Sequence, residues 1–416
     1  MGKTMVRKKT VVDVTDVAEL RAKMCAEIAK ATGGDILEDL DSVTYYIDTG
    51  NLAVNYSCSG KFVTGGIPGG RITEAFGPEA SGKSLIGSNV IRGGQMIGAW
   101  VQLIDCENSS NADFMRKISH IDTAQVTRHA PSSLERAFRQ IHTYVKECRE
   151  KEKEKGLPRF PIVVVFDSLT VPPCERELRE NNLPMDFSVA DWKKIVGRQE
   201  QPGERAKIIS AEMRKLQSAV VAEDITVYLI NQTRDKIGVM YGSPETTPGG
   251  NAVKFYASLR LRTSAKKKIE HKSLEKFSGI NLQVRNVKNR MFRPYVTADD
   301  VRLFFEDGVD PLSGLLGCLM ESERIVMKSP GNYLVAEKYL PPAYPAEYKF
   351  KASKAENRLS AEVLLDCPKL VDAEDKEQVQ KYLDNWGSGL AASESGEYEE
   401  KSVGFDAEGE PIDQEE

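Results

Sequence analysis

The sequence predicts an α/β protein: a mostly parallel central sheet with a phosphate-binding loop, an N-terminal helical arm and a small C-terminal α+β domain. Three observations point there. Residues 77–84, GPEASGKS, match GxxxxGK[ST] in full, with a strand-like stretch before and a helix-like stretch after. Residues 161–167, PIVVVFD, form an apolar run bounded by turn residues, the pattern of a strand buried on both faces of a parallel sheet. Strand-like and helix-like segments alternate between residues 71 and 231, as crossover-connected parallel strands require.

Taken in order, residues 15–31 carry Leu20, Met24, Ile28 and Ala29 at helical spacing, and Gly33-Gly34 stop them. Residues 1–44 are too few to bury much alone and read as a docking arm. Pro68-Gly69 turns the chain into a strand over Arg71–Phe76, and the glycine-rich loop and a helix follow. The next strand is Ile97–Asp105. A helix runs from Pro131 to about Lys151, with Leu134, Ala137, Phe138, Ile141, Tyr144, Val145 and Cys148 as its apolar stripe. Ser132 or Ser133 caps it, and KEKEKG ends it as a solvated charged run. Beyond the strand at 161–167, a helix over about Arg205–Val221 leads to a strand over Ile225–Asn231. Residues 255–305 read as successive β segments that extend the same sheet, so the core domain spans 45–309. Residues 310–387 mix helix and loop and read as a small separate domain. Residues 388–416, dominated by Gly, Ser and Glu, read as a disordered acidic tail.

Composition narrows the class. The 416 residues are 40% hydrophobic and 29% charged, a soluble globular balance. Mean hydropathy is −0.40, and no run approaches the ~18 apolar residues of a membrane span, so no membrane partner is expected. The first residues lack the apolar stretch of a secretory signal. The seven Cys are odd in number and form no CxxC, which argues against a disulfide framework or zinc site and for a reducing cytoplasm. Net charge is −5, yet residues 391–416 alone carry ten acidic residues and one Lys. An acidic tail on a mildly basic body either solubilises or competes for anion-binding surface.

The chemistry starts at Gly77, Pro78, Glu79, Ala80, Ser81, Gly82, Lys83 and Ser84, followed by Leu85. Glycines let backbone N–H groups turn inward around phosphates, and the helix N-terminus favours the anion. Lys83 reaches the β- and γ-phosphates, and the Ser84 hydroxyl ligates Mg²⁺. Asp167 ends a buried strand, where a carboxylate holds the same metal. Glu107 and Asp105 both lie at the end of another strand. Either can accept the proton of an attacking water, and pattern alone does not choose. Residues 231–251 have no helical or strand period and contain four Gly and two Pro. A loop of that length in a compact domain is usually functional. It sets Arg234 and Lys236 beside Ile237, Val239 and Met240, a combination of cations and apolar wedges that suits single-stranded nucleic acid.

These residues carry a resemblance. GGIPGGRITEAFGPEASGKS, LIDCEN, VVVFDS, AEMRKL, INQTRDKIGVMYGSPETTPGGNAVKFYASLRL and VRNVKNR occur in the order found in the RecA recombinases, and the likeness spans about residues 45–310. KIGVMYGSPETTPGGNAVKFYAS is far more specific than a phosphate-binding loop. The resemblance implies a DNA-dependent ATPase that forms helical filaments on single-stranded DNA and exchanges strands with homologous double-stranded DNA. It implies ATP and Mg²⁺ as cofactors, and a single-stranded DNA-binding protein and loader proteins as helpers, in a bacterial or phage-infected cytoplasm. By position, Glu107 activates water, Phe114 stacks on adenine, and Asn111 stands where the family usually has Asp. Gln232 senses the γ-phosphate, Phe255 transmits that state across a subunit interface, and Lys288 and Arg290 reach the neighbour's ATP. Lys207, Ser210 and Arg214 hold DNA together with the loop from Thr233 to Asn251, which includes Gly238, Gly249 and Gly250. Ile237 inserts between bases. Three departures stand out: Arg290 replaces a Lys, Leu85 replaces a second hydroxyl, and the first DNA-binding loop, about 180–203, is longer than the family's. That loop contains Trp192, Lys193, Lys194 and Arg198. The alternative on the same core is a ring-forming ATPase or helicase motor.

Overall fold

The computed structural model describes residues 14–33, 43–180, 203–235, 245–247, 250–273, 276–341, 347–352, 357–387, 398–402, 404–405 and 411–412. Residues 181–202, most of the expected first DNA-binding loop, and the candidates Lys236, Ile237, Gly238, Val239, Met240 and Gly249 lie outside these residues. The chain divides into two units, residues 1–44 and residues 45–416. The first contains one described helix, α1 (Val14–Thr32). Its apolar positions Leu20, Met24 and Ile28 are all more than half exposed.

The second unit is built on a ten-stranded sheet. Two short strands, β1 (Tyr46–Ile47) and β2 (Ile67–Pro68), pair beside it. The sheet strands before the long hairpin are β3 (Ile72–Gly77), β4 (Trp100–Asp105), β5 (Val126–His129), β6 (Ile162–Asp167) and β7 (Ile225–Gln232). Arg234–Asp235 (β8) and Glu245–Thr246 (β9) pair with each other within the long loop. The sheet then continues through β10 (Leu259–His271), β11 (Lys276–Asn289), β12 (Thr297–Phe304) and β13 (Gly308–Val309). The order across the sheet is β13-β12-β11-β10-β3-β7-β6-β4-β5. The half from β10 to β5 is parallel, and β10 to β13 is an antiparallel extension. The α/β class and the mostly parallel core are those expected.

Helices cover both faces. They are α2 (Leu52–Ser59), α3 (Lys83–Met96), α4 (Ala112–Ser119), α5 (Leu134–Lys155), α6 (Glu175–Glu180), α7 (Glu204–Glu223), α8 (Asn251–Tyr256), α9 (Leu315–Glu321), α10 (Ala361–Asp366) and α11 (Lys376–Trp386). One apolar core packs α5 and α7 against Ile162, Val164 and Phe166 of β6. The other joins α2 and α3 to Val163 and Val165 on the opposite face. Alternate residues of β6 thus feed opposite cores, so both positions must be apolar. Residues 310–387 contribute Leu312, Leu315, Leu364, Tyr382 and Trp386 to the second core. They share it rather than enclosing one of their own.

Several boundaries differ from the reading above. Ile97, the expected start of a strand, is the C-cap residue of α3, and β4 begins at Trp100. Helix α5 continues through KEKEK to Lys155 and stops at left-handed Gly156. The charged run is not wholly solvated, because Glu152 is buried and accepts hydrogen bonds from Trp100 Nε1, Phe160 N and Arg149. Phe255 and Tyr256 end α8 instead of opening a strand. Aromatic residues favour strands, but here Gly250 opens a helical turn, so β structure begins at Leu259. Within the acidic tail, Tyr398–Ser402 (β17 once β14, Ile325–Ser329, β15, Asn332–Val335, and β16, Lys349–Lys351, are counted) pairs with Lys267–His271 of β10. This stretch is a strand, not structureless chain. It takes the β10 edge that β3 leaves open beyond Arg262.

Candidate nucleotide and DNA sites

The phosphate-binding loop leaves β3 at Gly77 and enters α3 at Lys83. Two glycines are forced by space. A Cβ on Gly77 would lie 2.2 Å from the Thr263 carbonyl oxygen, and one on Gly82, whose φ is +80°, would lie 2.6 Å from Leu282. Ser81 fastens the loop, its Oγ donating to the Pro78 carbonyl at 2.8 Å and lying 2.8 Å from Thr263 Oγ1. The Lys83 ammonium is buried and donates to the carbonyls of Gly77 (3.0 Å) and Pro78. Burial pulls it down to about 8, against the opposing charges of Asp167, Glu107 and Glu79.

Asp167 and Asp105 are register partners at the ends of β6 and β4. Burial pushes the Asp167 carboxyl up to about 6, while a hydrogen bond from Ser84 opposes the rise. Its Oδ1 is buried without a hydrogen-bond partner. A buried, partnerless carboxylate oxygen beside a serine hydroxyl is a donor set that a divalent cation completes. Among the described residues no cluster of three or more His, Cys, Asp or Glu could hold a metal by itself. That is compatible with Mg²⁺, which binds through one or two protein oxygens plus phosphate and water.

The two candidate carboxylates, Asp105 and Glu107, have different surroundings. Asp105 is fully engaged: its oxygens accept from the Ser109 and Ser110 amides at 3.3 and 3.2 Å and from the Arg128 guanidinium at 2.8 Å. Glu107 faces the cavity with Lys83, Asp167 and Gln232. Its Oε1 accepts from Ser168 Oγ at 2.8 Å and from Gln232 Nε2 at 3.3 Å. The cavity measures about 580 Å³ and takes in Glu79 to Leu85. Phe114 lines it and also the adjoining pocket that contains Asn111. The Asn111 side chain caps α4, its Oδ1 accepting from Asp113 N and Phe114 N at 2.9 and 3.0 Å. The far wall, made of Phe277, Ile280, Leu303 and Phe305, was not legible in the sequence. Phe277 and Phe305 meet edge to face at 5.1 Å. They come from β11 and from just beyond β12, roughly 190 and 220 residues after the loop, and only hairpin register brings them there.

A second cavity of about 610 Å³ lies between α7 and α8. It gathers Lys207, Ser210, Arg214, Gly250, Asn251 and Phe255. Lys207, Arg214 and Asn251 are exposed, and Phe255 is 66% exposed. Arg234 lies in β8, directly after the Gln232–Thr233 exit of β7. Lys288 and Arg290 meet at the end of α8. Lys288 Nζ donates to the carbonyls of Lys254 (2.6 Å) and Phe255 (3.0 Å), and Arg290 Nη2 donates to that of Phe255 (3.2 Å). Burial, with the nearby Arg290 and Arg260 charges, lowers the Lys288 ammonium below its ordinary value.

The sequence matches the model for the RecA N-terminal domain over residues 22–149 and 194–310. The chain belongs to the RecA family. Among relatives, it is 32% identical to Protein RecA of Chlorobaculum tepidum over 275 residues, 66% of this chain and 70% of that one. It is 32% identical to Protein RecA of Chlorobium chlorochromatii over 289 residues, 69% of this chain and 71% of the relative. It is 29% identical to Protein RecA of Thermus aquaticus over 275 residues, 65% and 70% of the two chains. The RecA match is interrupted over 150–193, which overlaps the lengthened segment at 180–203. No described helix is long and apolar enough to cross a membrane.

Proposed function

We propose that this RecA-family chain is an ATP-dependent DNA recombinase that assembles head to tail on single-stranded DNA and exchanges strands with homologous duplex. One observation carries the reading. Gln232, which hydrogen-bonds to Glu107 in the nucleotide cavity, is the last residue of β7, and the chain leaves it directly into the loop that returns to the α7–α8 cleft. A γ-phosphate contact at Gln232 would therefore pull on the segment that meets DNA.

In the hydrolytic step, Glu107 accepts a proton from water while the water oxygen attacks the γ-phosphorus. The bond to the β–γ bridging oxygen breaks, leaving ADP and phosphate. Lys83 leaves its loop carbonyls for the β- and γ-oxygens, where its charge is largest in effect. Ser84 and Asp167 would hold Mg²⁺, which neutralises phosphate charge when bound. Lys288 and Arg290, supplied by the next protomer, add charge to the same triphosphate. Phe114, Phe277 and Phe305 offer flat apolar faces to the base.

Lys207, Ser210, Arg214, Arg234 and Asn251 contact the DNA backbone, and Phe255 meets the neighbouring protomer. The exposed face of α1 carries the apolar contact that links protomers. Such head-to-tail contacts generate open helices when the rotation does not close. A single-stranded DNA-binding protein and loaders are the helpers this reading calls for. Electron microscopy of the protein with single-stranded DNA and a slowly hydrolysed ATP analogue tests it. Helical filaments are expected, and closed hexamers would favour the ring-motor alternative.

A further inference from the structure

A line of side chains crosses the sheet from β7 to Lys288 of β11. Backbone register sets Leu229 of β7 beside Glu74 of β3, Glu74 beside Arg260 of β10, and Arg260 beside Lys288 of β11. Side chains in register point to the same face. Glu74 is fully buried. One carboxylate oxygen accepts from Asn231 Nδ2 at 3.0 Å, the other from Arg260 Nε at 2.5 Å. The Arg260 guanidinium also lies 4.4 Å from the centroid of the Phe76 ring. Asn231 immediately precedes Gln232 and faces the other side of the sheet.

A buried carboxylate is costly unless it is paired. As a source of stability alone, an apolar pair would serve at least as well. The arrangement does something an apolar pair cannot. Lys288 stands two strands from Glu74, about 10 Å at the backbone, within combined reach of the two side chains. Arg260 bonds this carboxylate directly, and Lys288 lies within electrostatic range of Glu74, Arg260 and Arg290. Arg260 holds the Glu74 carboxylate through one charge-assisted Nε–Oε2 hydrogen bond, with its guanidinium lying over the Phe76 ring. With Glu74 taken and Arg260 repelling it, the Lys288 ammonium turns outward to the α8 carbonyls.

We propose that Arg260 is a positioning residue: by occupying Glu74 it keeps Lys288, and with it Arg290, available to the neighbouring protomer's nucleotide. This rests on the reading that Lys288 and Arg290 act in trans. Without Arg260, Lys288 folds inward onto Glu74 and is lost to the neighbour. Arg260→Gln should lower DNA-dependent kcat by about tenfold, the loss of roughly one moderate coupling, with little change in KM for ATP. Glu74→Gln/Arg260→Gln should recover to within about threefold of wild type, because no carboxylate remains to capture Lys288. A purely structural role is relieved in the double variant too, so the melting temperature is read beside turnover: a kcat loss in Arg260→Gln at an unchanged melting temperature supports positioning, and a kcat that only follows the melting temperature overturns it.

Mixing supplies the second readout. Arg260→Gln retains its own nucleotide loop, so adding Lys83→Ala protein, whose cations are intact, should restore turnover in mixed filaments. Lys288→Ala/Arg290→Ala mixed with Lys83→Ala is the control. If the control fails to recover despite co-assembly, the trans reading falls and the proposal falls with it. If the control recovers but Arg260→Gln does not, only the proposal falls. If Arg260→Gln does not fold, the double variant and Arg260→Lys carry the test. The latter keeps an ammonium on Glu74 and should retain most activity, and a loss comparable to that of Lys288→Ala overturns the assignment.

Discussion

The nucleotide cradle and the α7–α8 cleft are built on opposite plans. In the cradle, Lys83 and Asp167 are buried, and Glu107 and Gln232 are already hydrogen-bonded to each other. In the cleft, Lys207, Arg214 and Asn251 stand in solvent and touch a cavity that is open along one side. The cradle is pre-organised, so each of its residues should act in an all-or-none way. On the proposed reading the cleft would act on DNA by summed charge, so each of its residues should act by increments.

The sharpest test of that contrast is Lys83→Ala. Turnover should fall by on the order of 10³-fold, the scale for removing a charge donor from a pre-organised site. Wild-type steady-state hydrolysis in this variant would break the comparison at its strongest point. Glu107→Gln should bind ATP and DNA yet hydrolyse about 10²–10⁴-fold more slowly. Asp105→Asn should instead lower the melting temperature, because Asp105 is bound by Arg128 and two amides. Normal turnover in Glu107→Gln with a dead, stably folded Asp105→Asn would exchange their roles.

Asp167 separates stability from activity. Its folded carboxyl is raised to about 6, above the ordinary value of 3.8. A raised carboxyl favours folding at low pH and loses that contribution as pH rises through about 6. Asp167→Asn should therefore match wild type near pH 4 and exceed it by on the order of 2 kcal/mol near pH 8 without Mg²⁺, while losing Mg²⁺-dependent hydrolysis. Thermal melts across pH check this, and an equal or lower stability of the variant at pH 8 would contradict it.

In the cleft, Lys207→Ala and Arg214→Ala should each weaken single-stranded DNA binding by about tenfold or less. Each should reduce the slope of log affinity against log salt by about 0.7, the value for one phosphate contact on a single strand. Unchanged slopes would remove these residues from the DNA path. The smallest effect belongs to the tail. Deleting 398–416 should speed DNA association a few-fold at low salt, through loss of negative charge, and should expose to hydrogen exchange those amides of Lys267–His271 that face the tail strand and not β11. Protected amides in the truncated protein would mean that another segment covers that edge.

What could be read from the sequence follows the same divide. The loop at 77–84, the strand ending at Asp167 and the strand ending near Glu107 are local patterns, and each lies on the expected element. Local pattern left Asp105 and Glu107 open and only the family resemblance pointed to Glu107; the contact that engages Asp105 comes from Arg128, a β5 residue whose approach is set by register. Phe277 and Phe305 were missed for the same reason. Glu74 and Arg260 were missed differently. In ITEAFG and LRLR they look like the polar half of an alternating strand, and only sheet order makes both faces interior. The α8 helix was hidden by strand-favouring aromatics in a six-residue element too short to show a helical period.

The hydrogen bond from Trp386 Nε1 to Asp48 Oδ2, at 3.0 Å, spans 338 positions of sequence. Tyr382 OH also reaches Asp48, and the Trp386 ring packs where a Cβ on Gly50 would lie, 2.7 Å away. The first turns of the second unit and its last long helix are therefore one clasp. Chimeras that exchange the segment after residue 310 with a relative's would have to import residues 48–50 as well. Without them the graft leaves an indole donor facing no acceptor and a glycine notch facing no ring. Swaps that carry both ends should express and melt as one piece, and swaps that carry only one end should be the first to be cleared by proteases.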